Sequence, residues 1–381
     1  MFSMKNVSAF LKKEIMLVVS LLAAAVSLFI TPPSAELFRN IDWRTLGILL
    51  MMLCVLEGFK RESVLAPVVR LGTRLKKMTA LTFFLVFGVF FSSMFVTNDV
   101  SLIIFVPITI MVFRSGGKEK YILPVITLQN IAAIRGSLLT PFGSPQNLFL
   151  YGQVNVTVWH FMLHMLPLCA MSAAILSAFI LILYRKDPGE SIGPAQPGKL
   201  SKDSLPRRIA YIVLFCAVVF TVVSRFKYWY FVLAAVLVAV AVIDFKVFRD
   251  VDYVLLATFL CFFIFSQSVA GNECIADFLS GAVAGREYWW SLGLSQIISN
   301  VPSTIVLYPF SKNFAALIYG ADTAGLCSIV GSLASVINYR IYIKEYPGTG
   351  KKFMLVFTLI SWAFFLIVVV PGLLLSRWQF F

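Results

Sequence analysis

Hydrophobic residues run along this chain in long, nearly unbroken stretches, at 15–30, 43–59, 79–113, 121–150, 158–184, 208–224, 228–243, 253–270, 291–319, 325–343 and 353–375. The stretches are continuous rather than alternating, so they predict helices and not the strands of a barrel. Several reach the roughly 20 residues a helix needs to cross a bilayer. Three are too long for one crossing and carry polar residues in the middle. Run 79–113 breaks at Thr97-Asn98-Asp99, run 291–319 at Ser299-Asn300, and run 121–150 within "GSLLTPFGSPQN", 136–147.

The polar interruptions repeat. "FVTNDVSLIIFVPI" (95–108) returns 202 positions later as "IISNVPSTIVLYPF" (297–310), so that Asn98 meets Asn300, Ser101 meets Ser303 and Pro107 meets Pro309. "IDWRTLGILLMMLCVLEGF" (41–59) pairs with "VDYVLLATFLCFFIFSQSV" (251–269), and "IRGSLLT" (134–140) with "IVGSLAS" (329–335). Taking the two broken runs 79–113 and 291–319 as hairpins leaves about nine spans. The matched blocks then run in opposite senses across the membrane. The predicted fold is an all-α polytopic membrane protein of two inverted repeats with re-entrant hairpins and broken helices, a transporter architecture. The first repeat covers 1–184 and a linker 185–207. A crossing helix follows at 208–224, and the second repeat covers 225–381.

Composition agrees. Hydrophobic residues make up 60% of the 381 and charged residues 13%, about half the charged share of a soluble domain. The net charge of +14 raises nucleic acid as a partner, but its distribution argues against one. With the N-terminus inside, 24 of the 32 Lys and Arg lie on the cytoplasmic side, counting Arg208 at the linker's edge, and seven lie outside. That is a positive-inside pattern. It expects a multi-pass protein of the plasma (inner) membrane, in contact with lipid, with the N-terminus cytoplasmic and the C-terminus outside. The first run follows Lys12 and Lys13 like a signal peptide, but an uncleaved helix is expected, given the later spans. The six cysteines form no C-x-x-C pair and read as small buried hydrophobes.

A broken membrane helix frees backbone groups that only protein or a water-filled cavity can satisfy. In "SNVPST" Ser299 or Asn300 suits a cap and Pro302 the first turn; in "GSPQN" Ser144 suits the cap and Pro145 the first position. Each restart aims N–H groups and a positive dipole end at its break, which favours an anion. Asn98 and Asn300 suit both tip closure and solute contact, with hydroxyls from Thr97, Ser299, Ser101 and Ser303. Capping alone is the competing reading. Arg135, inside an apolar run, needs a partner: Asp99, an anionic solute, or the interface. His160 and His164 share a helix face without a third ligand and read as an interfacial pair. Glu273, Asp277 and Glu287 read as an outside loop. No nucleotide-binding, nucleophile or metal-hydrolase motif is present, so no enzyme is expected.

These residues bear a family resemblance. The chain is similar to the ion transporter superfamily, in particular the divalent anion:sodium symporter and citrate-transporter-like families. Thr97-Asn98-Asp99 and Ser299-Asn300-Val301 resemble its Ser-Asn-Thr hairpin signatures, and Gly143-Ser144-Pro145-Gln146-Asn147 resembles its Gly-Ser/Thr-Pro-x-Asn signature. The segment 320–339 also resembles the arsenite-pump membrane subunit. The third signature position is Asp99 in one half and Val301 in the other instead of Thr. The resemblance implies a secondary transporter of a small anion, a di/tricarboxylate or inorganic oxyanion. Sodium or protons would be the coupling ion and no other cofactor is implied. It also implies a homodimer. A sodium/proton antiporter or arsenite-type efflux permease is the alternative. Together with the reading of the residues above, the resemblance places the solute on Asn98, Asp99, Ser144, Asn147, Asn300, Ser303 and Arg135. It places the cation on Thr97, Asn98, Asp99, Gly143, Ser299, Asn300, Ser332 and Ser335.

Overall fold

The computed structural model describes residues 15–65, 67, 75–192 and 205–378. Part of the linker, 193–204, therefore lies outside the described residues. The apolar runs become helices close to the expected limits. They are α1 (Ile15–Ile30), α2 (Ala35–Asn40), α3 (Trp43–Arg61), α4 (Met78–Val96), α5 (Asn98–Ser115), α6 (Ile122–Ser137), α7 (Pro145–Gln153), α8 (Val158–Leu183) and α9 (Leu205–Val223). The second half holds α10 (Trp229–Asp244), α11 (Val247–Asp250), α12 (Tyr253–Ala270), α13 (Glu273–Val283), α14 (Glu287–Ile298), α15 (Asn300–Leu307), α16 (Phe314–Ala324), α17 (Leu333–Glu345) and α18 (Gly350–Ser376). No strand forms among the described residues, and six helices are long and apolar enough to cross a membrane. The protein is an all-α multi-pass membrane protein.

The repeat appears in backbone geometry as well as in letters. Asp42 caps α3 at φ −77°, ψ 76°, and Asp252 caps α12 at φ −77°, ψ 78°; each carboxylate accepts the N–H three residues on, from Thr45 and Leu255. Thr97 at the α4–α5 turn has φ 69°, ψ 156°, and Ser299 at the α14–α15 turn has φ 71°, ψ 161°. A positive φ on a residue that is not glycine is uncommon, and this backbone holds it twice at matched positions.

Both turns close antiparallel hairpins. Ser92 Oγ donates to Ser101 Oγ at 2.9 Å in the first, and the Ser295 and Ser303 hydroxyls meet at 2.7 Å in the second. The arms of the second hairpin have 12 and 8 residues, about 18 and 12 Å of helix, too short to cross a core of about 30 Å. The arms of the first are long enough to cross. Its tip, however, meets the end of α6, where Thr140 Oγ1 donates to the Met94 carbonyl. The chain then continues past that level through the nine residues of α7.

Close helix approach depends on glycine in both halves. A Cβ on Gly136 of α6 would fall 2.0 Å from the Phe90 carbonyl oxygen of α4, and one on Gly320 of α16 would fall 2.5 Å from that of Tyr288 in α14. Small residues of this kind let membrane helices pack backbone to backbone.

The two ends of the bundle differ. At one end Arg61 faces Asp244 at 3.3 Å, Arg114 faces Glu345 at 3.1 Å, and Glu190 gathers Lys118 at 2.8 Å and Tyr121. The Lys118 hydrogen bond, followed by that of Tyr121, holds the Glu190 carboxyl below its usual range. At the opposite end the second hairpin and the second half of the first broken helix are packed against α3 and α12. Ser266 Oγ of α12 donates to the Ile305 carbonyl at 2.9 Å, and Gln153 Nε2 of α7 donates to Asp42 at 2.7 Å. The repeat-related face, formed by α5 and α17 at the basic end, is covered more lightly, with α3 touching α5. Ile103, Pro107 and Met111 face Ile341 and Lys344 across a groove of about 640 Å³. Ile103 and Pro107 are the mates of Ile305 and Pro309.

Three expectations change. The outside segment with Glu273 and Asp277 is a helix, α13, because Asn272 caps it through the Ile275 N–H and its apolar residues fall on one face. Glu287 is buried in the first turn of α14. His164 is no interfacial residue either. It is buried against the Tyr319 ring at 5.5 Å between centroids, while His160 is exposed. Of the cysteines, Cys54, Cys169 and Cys261 are buried, but Cys216 and Cys274 are exposed.

Cysteines placed at Gly116 and Lys186 should be labelled by an impermeant maleimide from one face of the membrane, and one at Ala284 only from the other. Labelling of all three from a single face would contradict this bundle.

Candidate functional site

Four helices restart inside the bundle: α5, α7, α15 and α17. None of the four has a side-chain cap, a property shared by α4, α6, α10, α11, α14 and α18, while α2, α3, α8, α12, α13 and α16 are capped by Ser34, Asp42, Thr157, Asp252, Asn272 and Asn313. The sequence expected Ser144 to cap α7. It stands at the cap position with extended backbone and Pro145 follows at the first turn, but its hydroxyl makes no cap bond and is buried without a partner. Three of the four, α7, α15 and α17, have no acid in the first turn, whereas α5 carries Asp99 there.

The hairpin tips are closed by their asparagines. Asn98 Oδ1 accepts from the Asp99 N–H at 2.9 Å, and Asn300 Oδ1 from the Val301 N–H at 3.0 Å. Each amide nitrogen is left for another contact, and both residues are nearly buried, at 5% and 2% exposure. Thr97 and Ser299 are half-buried at the turns. Ser303, expected to contact solute, bonds within the hairpin. Its hydroxyl is fully buried between Ser295 and the Asn300 carbonyl, where it ties the hairpin arms together. Ser101 does the same through Ser92 and the Thr97 carbonyl.

Each tip lies against its own break. Thr140 reaches Met94, and the Phe95 and Phe142 rings sit 6.3 Å apart. In the second half Ser328 Oγ donates to Gln296 Oε1 at 2.7 Å, and Gln296 Nε2 donates to the Ala324 carbonyl at 3.1 Å. Thr140 and Ser328 are 188 positions apart, and so are Gly143 and Gly331 and Ser144 and Ser332. A Cβ on Gly143 would fall 2.4 Å from the Ser137 carbonyl oxygen, and one on Gly331 2.3 Å from that of Ala324. Each break therefore folds back onto the end of the helix before it. This register corrects the pairing of 134–140 with 329–335: Gly331-Ser332-Leu333-Ala334-Ser335 is the mate of Gly143-Ser144-Pro145-Gln146-Asn147. The second half has the signature in reduced form, with Ser335 in place of Asn147.

Asn147 holds the first break together. Its Nδ2 donates to the carbonyls of Ser137 at 3.1 Å and of Leu138 and Thr140 at 3.2 Å, and its Oδ1 is buried without a partner. Ser335 instead accepts from Asn130 Nδ2 at 3.0 Å, beside the Asn338 Nδ2 bond to the Ile126 carbonyl at 2.7 Å. These last bonds join α6 of one repeat to α17 of the other.

The expected pairing of Asp99 with Arg135 does not occur. Arg135, fully buried, pairs with Asp322 of α16, and its second terminal nitrogen lies 3.5 Å from Thr323 Oγ1. Asp322 sits at the level where α6 and α16 end, so it is the nearest anion the fold can offer. The pair engages one terminal nitrogen of Arg135, and its Nε is buried without a partner. Asp99 Oδ1 is buried without a hydrogen bond. Reading the sequence missed Asp322, although it stands as an isolated acid in the apolar run "FAALIYGADTA". The pair pins the two broken helices where they meet, with the Ile134 side chain reaching Gly325 at the start of the second break. No group of three His, Cys, Asp or Glu suited to a metal ion occurs among the described residues.

Removing one member of this pair leaves a bare buried charge, which costs about 3–5 kcal/mol. Arg135→Met should therefore lower thermal stability strongly. The double variant Arg135→Met/Asp322→Leu should recover most of the loss in a melting experiment. Additive losses would show that the two side chains are not coupled.

Known proteins were compared with this chain. A family model described as citrate transporter matches residues 9–331. The chain is 29% identical over 309 residues to the uncharacterized transporter MJ0456 of Methanocaldococcus jannaschii, covering 80% of this chain and 83% of that one. It is 29% identical over 305 residues to the inner membrane protein YbiR of Escherichia coli strain K12, covering 79% and 80%. Among solved structures, the YdaH transporter of Alcanivorax borkumensis, reported to have an unusual topology, matches with a TM-score of 0.51. That match has 13% identity and covers 90% of this chain and 87% of that one; it bears on the fold alone.

Proposed function

The chain belongs to the citrate transporter family, and from that premise we propose that it moves a small anion across the membrane by secondary active transport. The protein is a membrane transporter, not an enzyme. What we add is a solute class, a di/tricarboxylate or inorganic oxyanion, and coupling to sodium or protons. The observation that carries the reading is the set of four uncapped helix restarts, each hairpin tip lying against its own break. Positive helix ends at interior restarts favour an anion without a dedicated cation, and three of the four carry no acid in the first turn. The amide nitrogens of Asn98 and Asn300 supply directional donors. The unpartnered oxygens of Ser144, Asn147 and Asp99 supply acceptors for a coupling ion.

The inequality of the two ends supports alternating access. With the N-terminus in the cytoplasm, as the basic loops favour, the α5–α17 groove opens inward, and the seam of α7 and α15 on α3 and α12 closes the outside. Exchanging the roles of the repeats gives the opposite state. Asp99, the departure from the family pattern, is assigned to the coupling ion. A carboxylate near the bound solute would repel it unless a cation or proton is present. Solute and co-ion must then bind together, which is what coupling requires.

Uptake into vesicles tests this. Asn98→Ala and Asn300→Ala should each lower uptake of the transported anion roughly ten-fold or more, the loss expected for a charge-assisted hydrogen bond, with the protein still inserted. Asp99→Asn should retain solute binding but lose accumulation against a gradient. Near-normal uptake by either Asn variant would reduce that residue to a turn former.

A further inference from the structure

A cation stands at the outer seam where the fold does not require one. Arg44 lies in the first turn of α3, at the positive end of that helix's dipole, where a cation is disfavoured. The repeat-related helix α12 begins with the same aspartate cap but has Val254 at the matching position. Arg44 is half-buried, and its electrostatic neighbours are Arg225, Asp42 and Tyr151. Among the described residues no ion pair is formed by it.

Its neighbours do not cancel its charge. Arg225 sits over the Tyr151 ring at 4.5 Å, and its Nη2 donates to the carbonyls of Tyr151, Val154 and Val156, which are neutral groups at the end of α7. Asp42 is the one carboxylate present, and it accepts from the Thr45 N–H, the Thr45 hydroxyl and Gln153 Nε2. Two guanidinium groups against one committed carboxylate leave an excess positive charge. These groups line a cavity of about 280 Å³, which Gln267 of α12 also lines. The apolar part of the cavity is Phe149, Phe263 and Ile305. Phe149 is two residues beyond Asn147 and Ile305 is five beyond Asn300, so the cavity abuts helices that restart at the breaks. Apolar walls around an uncompensated charge strengthen its field.

We propose that this cavity is a second anion site, separate from the helix breaks, that takes a small carboxylate or oxyanion between Arg44, Arg225 and the Gln267 amide. The anion completes the charge balance of two arginines crowded at one seam. It also bridges the scaffold helices α3 and α12 to the loop between α9 and α10, whose Arg225 holds the end of α7, so its binding favours the state in which this seam is closed. On the reading of the preceding subsection it is a holding position for solute on the outer side. The site itself does not depend on that reading.

The test uses sulfate as the probe, titrated calorimetrically against the purified full-length protein at constant ionic strength. In the Asn98→Ala/Asn300→Ala background, saturable sulfate binding should remain and should weaken roughly ten-fold or more on adding Arg44→Gln, as expected for loss of a charge-assisted contact. Arg44→Lys should keep part of the affinity. The same Arg44→Gln change in the otherwise native chain, followed by the sulfate-induced rise in melting temperature, covers the case in which the asparagine variant does not fold. Equal affinity with and without Arg44, or no saturable sulfate binding with Arg44 intact, overturns the proposal. If the asparagine changes alone leave all sulfate binding in place while Arg44→Gln removes it, the reading of the breaks fails and this site stands.

Discussion

A helix interrupted inside hydrocarbon must have its freed backbone groups satisfied within the protein, and the rest of this structure follows from that requirement. The chain interrupts itself at four places and solves each break locally. Asparagine side chains close the two tips at Asn98 and Asn300, and Asn147 gathers three carbonyls of the first break. The loops at Gly143 and Gly331 fold onto the preceding helix ends, which only a residue without a Cβ permits. The carbonyl ends are thereby well provided with donors. The N–H ends of α7 and α17 receive no side-chain cap, and on the function proposed above they favour an anion.

The breaks are useful only if they are held together. The Arg135–Asp322 pair does this at the level where α6 and α16 end, and the Asn130–Ser335 and Asn338–Ile126 bonds extend the join between repeats. A buried ion pair is weak support for stability, because desolvation offsets most of its attraction. Its value here is geometric: it fixes which turn of one broken helix meets which turn of the other. The scaffold contacts are of a different kind. Ser266 to Ile305 and Gln153 to Asp42 are single hydrogen bonds along a seam, and their repeat-related counterparts at the basic end are open. Strong internal joins beside a light seam are what a body moving against a scaffold needs.

Much of this was legible in the sequence, for identifiable reasons. Continuous apolar runs fixed the helices, because backbone satisfaction in lipid leaves few alternatives. The hairpin repeat was legible because Asn98 and Asn300 are rare polar letters in apolar text. The register of the broken helices was misread, because Gly136 and Gly331 match by letter while serving different ends. Gly136 allows helix crossing, and Gly331 shapes a break. Arg135 stands out in the sequence as needing a partner, but nothing around it in the sequence singles out Asp322. Asp322 lies in the other repeat, and only the crossing of α6 and α16 brings it close. The Ser144 and Ser303 hydroxyls were assigned by residue type, and hydroxyl direction is set by packing.

Alternating access in this bundle requires the two repeats to exchange which pair of arms packs on the scaffold. The contact between Ser266 and Ile305 maps through the repeat onto Leu56 and Ile103, which should meet in the opposite state. A Cys54→Ser protein carrying Leu56→Cys and Ile103→Cys, oxidised in vesicles during turnover, should form that disulfide and stop transporting, with recovery on reduction. Continued uptake under oxidation, with both thiols remaining free, would contradict the account.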